Sequence, residues 1–129
     1  MKIVKIPLTI ERQDGKELWG RVEYNDNLIT DFADTVAELE LKIKEILWDF
    51  EELAPESVEF TYQYDIYALF QKFDFLKIST VAEHAGMNPG LLRQYVSGAK
   101  SPSLEQAKKI EKTLHMLAIE LQEATIITS

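Results

Sequence analysis

The chain has 129 residues, of which 46% are apolar, and it carries a formal net charge of −8. The length is sufficient for one domain or for two small ones, and the apolar content suits a folded core. No stretch approaches the roughly 18 to 20 apolar residues of a membrane span, and no signal peptide is visible. Because the chain also lacks cysteine, a disulfide framework and a thiolate zinc site are excluded, and we expect a cytoplasmic protein.

Charge is distributed unevenly along the chain. Residues 1–76 contain 8 Lys/Arg and 17 Asp/Glu, whereas residues 77–129 contain 6 and 5. An acidic surface repels nucleic acid and attracts basic proteins, although it can also simply be solvated. In the second part, any affinity for DNA must come from the local placement of a few basic side chains.

The first part of the chain predicts three short strands separated by turns. Pro7 falls within the first strand, which favours an edge strand or a β-bulge there. Asp14-Gly15 is a hairpin signal, and Asn25-Asp26 marks a second turn. The alternating segments predict an antiparallel meander of three strands, at about residues 2–11, 18–24 and 28–32.

A helix and a fourth strand follow the meander. Thr35 and Glu38 have the spacing of a capping box, and apolar residues recur after them at helical spacing. These apolar residues are Val36, Leu39, Ile43, Ile46, Leu47 and Phe50. After Pro55, an alternating segment predicts a strand with one buried, largely aromatic face, formed by Val58, Phe60, Tyr62 and Tyr64.

The segment 78–97 has the pattern of two short helices joined by a tight turn. Ser79 or Thr80 is a candidate N-cap for the first helix, and Gly86 is placed where the backbone must adopt a positive φ. Asn88 is a candidate N-cap for the second helix. The pattern predicts a helix-turn-helix, in which the second helix reads the major groove of DNA.

The inward residues of the second helix strengthen this interpretation. Leu92 and Tyr95 lie three residues apart, where they seat the second helix on the first, and Gly98 ends it. The run AKSPSLE at 99–105 is similar to a G-K-x-x-P-S-L-E run found in many lambda-repressor/Cro-type domains, which the segment resembles.

The order of elements in residues 1–64 resembles the HicB-type antitoxin domain, with Thr35 opening the helix after the third strand. That resemblance implies a small, partly degraded ribonuclease H-like fold. The predicted fold class is therefore α+β, with an antiparallel βββαβ domain at 1–64 followed by an all-α helix-turn-helix domain at 65–129. A long helix, capped by Ser103 and running to about Ala124, is predicted to end the second domain.

Two features of the C-terminal part have open interpretations. The apolar residues of the long helix continue beyond Leu114, where they can form a dimer contact or pack on the first part of the chain. The segment Ile126–Ser129 is rich in β-forming residues, and the pattern assigns no role to it.

The outward positions of the second helix are candidates for reading DNA bases. Arginine and glutamine can each make two hydrogen bonds to a base edge in the major groove. The predicted base-reading residues are Asn88, Gly90, Arg93, Gln94 and Ser97. The predicted phosphate-binding residues are Ser79, Thr80, Lys100 and Ser101.

The function predicted from these patterns is a DNA-binding transcriptional regulator, namely the antitoxin of a HicA/HicB-type toxin–antitoxin pair. Its partners would be double-stranded DNA, a small basic toxin and further copies of the chain in a homodimer or higher homo-oligomer. The alternative is a protein-interaction module that keeps the helical fold without binding specific DNA. No constellation of residues indicates catalysis, a metal site or a cofactor, because His84 and His115 are far apart in sequence and no phosphate-binding or nucleophile motif is present.

Overall fold

The computed structural model describes residues 2–128, and the chain divides into two compact units between Lys72 and Phe73. The sequence pattern placed this boundary after residue 64. The first unit contains β1 (Val4–Arg12), β2 (Leu18–Tyr24), β3 (Asn27–Ala33), α1 (Val36–Glu51), a short 3-10 helix (Pro55–Ser57), β4 (Val58–Tyr64) and α2 (Ile66–Lys72). The second contains α3 (Ile78–Ala85), α4 (Pro89–Ser97) and α5 (Leu104–Glu123).

The four strands form a mixed sheet in the order β3-β2-β1-β4. β1, β2 and β3 are antiparallel neighbours, whereas β4 runs parallel to β1, with Val4 opposite Val58 and Ile10 opposite Tyr64. Asn25 and Asp26 both have positive φ values, as expected for the two central residues of the tight turn between β2 and β3.

The predicted fold class is wrong in two respects. The sheet is not antiparallel throughout, because β4 joins it parallel to β1. The helices are also not a separate all-helical domain that begins after residue 64, since they follow the sheet in one α+β chain and the first of them, α2, packs against β1 and β4. Asp65 ties α2 to the sheet, because its carboxylate accepts hydrogen bonds from the Arg12 and Ala68 N–H groups, both at 2.8 Å.

Pro7 favoured an edge strand or a β-bulge; β1 as a whole lies in the interior of the sheet, but it is locally an edge at Pro7. The register explains how this strand tolerates a proline. β1 pairs with β2 only over Thr9–Arg12, whereas it pairs with β4 over Val4–Ile10. At Pro7, β1 therefore pairs with β4 but not with β2. Because no β2 residue lies opposite Pro7, the missing proline N–H removes no hydrogen bond between β1 and β2.

Helix α1 covers one face of the sheet. The Thr35 side chain accepts a hydrogen bond from the Glu38 N–H, which confirms the predicted cap. Leu39, Ile43 and Leu47 are completely buried against the sheet, and a Cβ placed on Gly20 of β2 would come within 2.8 Å of Leu39 and 3.0 Å of Ile43. The absence of a side chain at this glycine thus allows the helix to approach the sheet closely.

Two aromatic side chains that were predicted to be buried are exposed. Phe50 lies on the same face of α1 as Ile43, but Leu47 is the last buried residue of that helix. Tyr62 lies on β4 beyond Phe60, and its hydroxyl donates a hydrogen bond to the Glu40 carboxylate. The core of the first unit therefore stops short of both aromatic side chains.

In the second unit, α3 packs against both α4 and α5. Among the described residues of α5, Ile110 is the one that is buried, and Leu92 of α4 is completely buried. The Ser103 hydroxyl accepts a hydrogen bond from the Gln106 N–H, as predicted for the start of this long helix. Ile126 and Ile127 lie beyond α5 and are exposed, whereas Ser129 lies outside the described residues.

Within residues 2–128, none of the helices is both long enough and apolar enough to cross a membrane.

Candidate nucleic-acid interface

The turn between α3 and α4 is built around Gly86, which has φ 66° and ψ 35°. Its N–H donates to the Glu83 carbonyl at 3.1 Å, and the N–H of Met87 donates to the Ala82 carbonyl at 2.9 Å. These two bonds are those of a Schellman motif, which ends a helix with a residue in the left-handed conformation. Met87 is buried directly after the turn, so the chain enters α4 in a fixed direction.

Helix α4 begins at a side-chain cap, as the sequence predicted. The Asn88 side-chain oxygen accepts a hydrogen bond from the Gly90 N–H at 2.7 Å, and Pro89 occupies the first helical position. Leu92 and Tyr95 are buried, and Gly98 ends the helix with φ 85°. The inward face of α4 is therefore the one that the sequence indicated.

Arg93 and Gln94 lie on the exposed face of α4. Within residues 2–128, neither side chain makes a hydrogen bond or an ion pair. Their guanidinium and amide groups are thus available to a ligand, and both groups can make paired hydrogen bonds to base edges.

The other three predicted base-reading residues are less available. Asn88 uses its side-chain oxygen for the cap and keeps its amide N–H groups, whereas Gly90 is half-buried. The Ser97 hydroxyl donates to the Gln94 carbonyl at 3.2 Å and accepts from the Ala99 N–H at 3.4 Å. Hydrogen bonds at the two ends of α4 therefore occupy the Asn88 side-chain oxygen and the Ser97 hydroxyl, both of which belong to residues predicted to read bases.

The predicted phosphate-binding residues lie in two places. Ser79 is half-buried and Thr80 exposed in the first turn of α3, but neither is the cap, since the N-cap position is occupied by Lys77 and has no side-chain hydrogen bond. Lys100 and Ser101 are exposed just beyond α4. The Lys100 N–H donates to the Gln94 carbonyl at 3.1 Å, which holds this lysine close to the C-terminal end of α4.

The charge of the second unit is balanced, with 6 Lys/Arg and 6 Asp/Glu between residues 73 and 129. The face of α4 that carries Arg93 and Gln94 has no acidic residue on it, because no Asp or Glu occurs between residues 84 and 104. An anionic ligand would therefore meet a locally positive surface on this helix.

In the described part of the chain, no three His, Asp or Glu side chains gather closely enough to hold a metal ion. His84 and His115 are both exposed.

No protein-family profile matches the chain, and neither does any curated protein or solved structure.

Proposed function

We propose that the protein is a DNA-binding transcriptional regulator, the antitoxin of a HicA/HicB-type pair, which binds operator DNA through α4 and a small basic toxin through its first unit. The observation that carries the proposal is the exposed, unpaired Arg93–Gln94 pair on a short helix that a Schellman turn fixes relative to α3.

The contacts expected from this surface are few. Arg93 would read a guanine and Gln94 an adenine, while Lys100 would contact a phosphate. Because Asn88 and Ser97 use side-chain atoms within the helix, base reading would rest mainly on two side chains. A second copy of the reading helix, bound at a second half-site, would raise the specificity of the complex.

The first unit has the charge needed for a basic partner. Between residues 1 and 72 it contains 16 Asp/Glu against 8 Lys/Arg. Such an excess would steer a basic protein toward this unit and would repel DNA from it. The two binding activities are thus assigned to surfaces of different charge.

The exposed apolar residues of α5 support a homodimer. Leu121 is 74% exposed, and Met116 and Ile119 are also exposed on the same helix.

We expect Leu121→Glu to raise the dimer dissociation constant by about a hundredfold or more, because burial of an unpaired carboxylate in an apolar contact costs several kcal/mol. Sedimentation equilibrium measures this constant. Gln122→Glu introduces the same charge at the neighbouring exposed position and should change the constant less than Leu121→Glu does; an equal effect of both variants would show that added charge, and not the loss of the Leu121 contact, weakens the dimer.

Arg93→Ala and Lys100→Ala should weaken DNA binding in different ways. Loss of a guanine contact should cost about 1 to 3 kcal/mol of specific binding and relax the preference at one base pair. Loss of a phosphate contact should weaken binding to all sequences and reduce the slope of log affinity against log salt by about one unit. The measurement is a titration at two salt concentrations with DNA from upstream of the chain's own gene and with a scrambled sequence of the same composition.

Lys112→Ala is the matched control for that titration, since it removes an exposed lysine on a different helix. All variants should first be shown to unfold at the wild-type temperature. If the wild-type protein binds both DNA sequences equally or binds neither, the DNA proposal fails and a protein-interaction module becomes the better description of α3 and α4.

A further inference from the structure

The outer face of α1 exposes two large apolar side chains. Leu41 is 70% exposed and Trp48 is 52% exposed, although both belong to a helix whose opposite face is completely buried. They lie seven residues apart, so they are on the same face and about 10 Å apart along the helix axis. Two apolar residues at this spacing form the contact pattern by which one helix packs on another.

Three acidic residues, Glu45, Asp49 and Glu52, accompany the apolar pair. None of them has an ion pair or a side-chain hydrogen bond within residues 2–128. The other acidic residues of α1 do have partners: Glu38 pairs with Lys42, Glu40 accepts from Tyr62, and Glu51 accepts from Asn27. Partial desolvation of the Tyr62 hydroxyl, together with the bond to Glu40, raises the pKa of Tyr62.

The basic residues of α1 do not neutralise these acids. The Lys42 ammonium donates to the Phe32 carbonyl at 2.8 Å and also lies 5.2 Å from the centre of the Phe32 ring. The Lys44 ammonium lies 5.7 Å from the centre of the Phe60 ring. Within residues 2–128 neither lysine forms an ion pair with Glu45, Asp49 or Glu52, so the three carboxylates around Leu41 and Trp48 have no paired counter-charge.

The charges and the backbone conformation at the C-terminal end of α1 also disfavour the helix. It contains no basic residue, while Asp49 and Glu51 lie at the end where the helix dipole disfavours negative charge. Glu52, the C-cap, has φ 57°, a left-handed conformation that is strained for any residue with a side chain. These features destabilise the free protein, and a bound cationic group would offset the charge repulsion.

The charge of this face decides between its possible occupants. A second copy of the chain would bring together two acidic surfaces, and nucleic acids and anionic lipids would be repelled for the same reason. We infer that the outer face of α1, defined by Leu41, Glu45, Trp48, Asp49 and Glu52, binds a basic amphipathic helix of a partner protein. The inference rests on the proposed function, since it assigns to the basic partner a specific surface of the first unit.

The test is an NMR titration of the full-length chain with two synthetic helical peptides of the same apolar pattern, one of leucine and lysine and the other of leucine and glutamate. The chain contains two tryptophans, so the Trp48 indole N–H reports this face and that of Trp19, on β2, serves as an internal control. A Trp19→Phe variant assigns the two signals. We expect the lysine peptide to shift the Trp48 signal and leave that of Trp19 in place, while the glutamate peptide shifts neither.

Two kinds of variant separate binding from folding. Trp48→Ala should weaken binding of the lysine peptide by about thirtyfold, as for a central aromatic anchor, whereas Leu28→Ala, at an exposed leucine on β3, should not change it. The double variant Asp49→Asn, Glu52→Asn should weaken binding by roughly threefold to tenfold at low salt. It should also raise the unfolding temperature, because it relieves the repulsion at the helix end and places asparagine in the left-handed position.

The inference is overturned if the lysine peptide does not bind, if both peptides bind equally, or if Leu28→Ala weakens binding as much as Trp48→Ala. The proposed function is tested separately: it requires that a gene next to that of the chain encode a small basic protein, which is then titrated with the chain. If that protein binds wild type and Trp48→Ala equally, the antitoxin proposal stands and the assignment to α1 is lost. If wild type does not bind it, both the assignment and the antitoxin proposal fail.

Discussion

Replacing Tyr95 with alanine should destabilise the protein by about 3 to 5 kcal/mol, the usual cost of removing a buried aromatic side chain. Tyr95 is 8% exposed and lies on the inner face of α4 next to the completely buried Leu92. Its ring helps to hold α4 on α3, so the cavity left by alanine would loosen the helix that carries Arg93. The measurement is chemical denaturation followed by far-ultraviolet circular dichroism.

Two variants on the same helix make this result interpretable. Tyr95→Phe keeps the ring and should cost much less than the alanine variant, since no hydrogen bond of the Tyr95 hydroxyl is found within residues 2–128. Arg93→Ala changes an exposed position and should remain within about 0.5 kcal/mol of wild type. An unchanged midpoint for Tyr95→Ala would show that the ring does not hold α4 in place.

The ends of the helices could be predicted from the sequence because they depend on neighbours within a few residues. Thr35, Asn88 and Ser103 cap their helices, and Gly86 and Gly98 adopt the positive φ expected of them. The cap of α3 was wrongly predicted, since a serine and a threonine in the first turn resembled cap residues while Lys77 occupies that position without a side-chain bond.

The direction of β4 could not be predicted in this way. An alternating strand has the same pattern whether it pairs parallel or antiparallel, and its direction here follows from the crossover through α1. The sequence likewise does not show that β2 and β4 pair with different lengths of β1, so the interior position of β1 could not be predicted, whereas the local edge at Pro7 is compatible with the proline.

The position of the candidate site could be predicted from the sequence, but not which of its polar atoms already make hydrogen bonds within the protein. The exposure of Arg93 and Gln94 follows from the helical period that buries Leu92 and Tyr95. The cap at Asn88, which occupies the side-chain oxygen, was itself predicted. That the helix backbone binds the Ser97 hydroxyl depends on a local hydrogen bond, which the helical period does not show. The outer face of α1 was missed, although Leu41 and Trp48 both lie off the apolar stripe of that helix and one heptad apart.

Leu39→Ala should have a large effect on the first unit, at about 2 to 5 kcal/mol. Leu39 is a completely buried residue of α1 that packs against Gly20 of β2. Gly20 has no side chain that could fill the space left by the leucine. Leu41→Ala is the matched control, since it makes the same change two residues away at a position that is 70% exposed. It should alter stability by no more than about 0.5 kcal/mol while weakening the proposed binding of a basic helix. Denaturation monitored by tryptophan fluorescence reports this unit, because both tryptophans lie in it.

A double-mutant cycle with Gly20 tests whether the leucine and the glycine share one space. Gly20→Ala alone should destabilise the protein by about 1 to 3 kcal/mol, because its Cβ would lie 2.8 Å from the Leu39 side chain. In the Leu39→Ala background that contact is absent, and the new methyl group occupies part of the cavity. The two changes together should therefore cost less than their sum by about 0.5 to 3 kcal/mol. Strict additivity would mean that Leu39 and the added Cβ do not compete for one space, and that the close approach of Leu39 is not what requires glycine at this position.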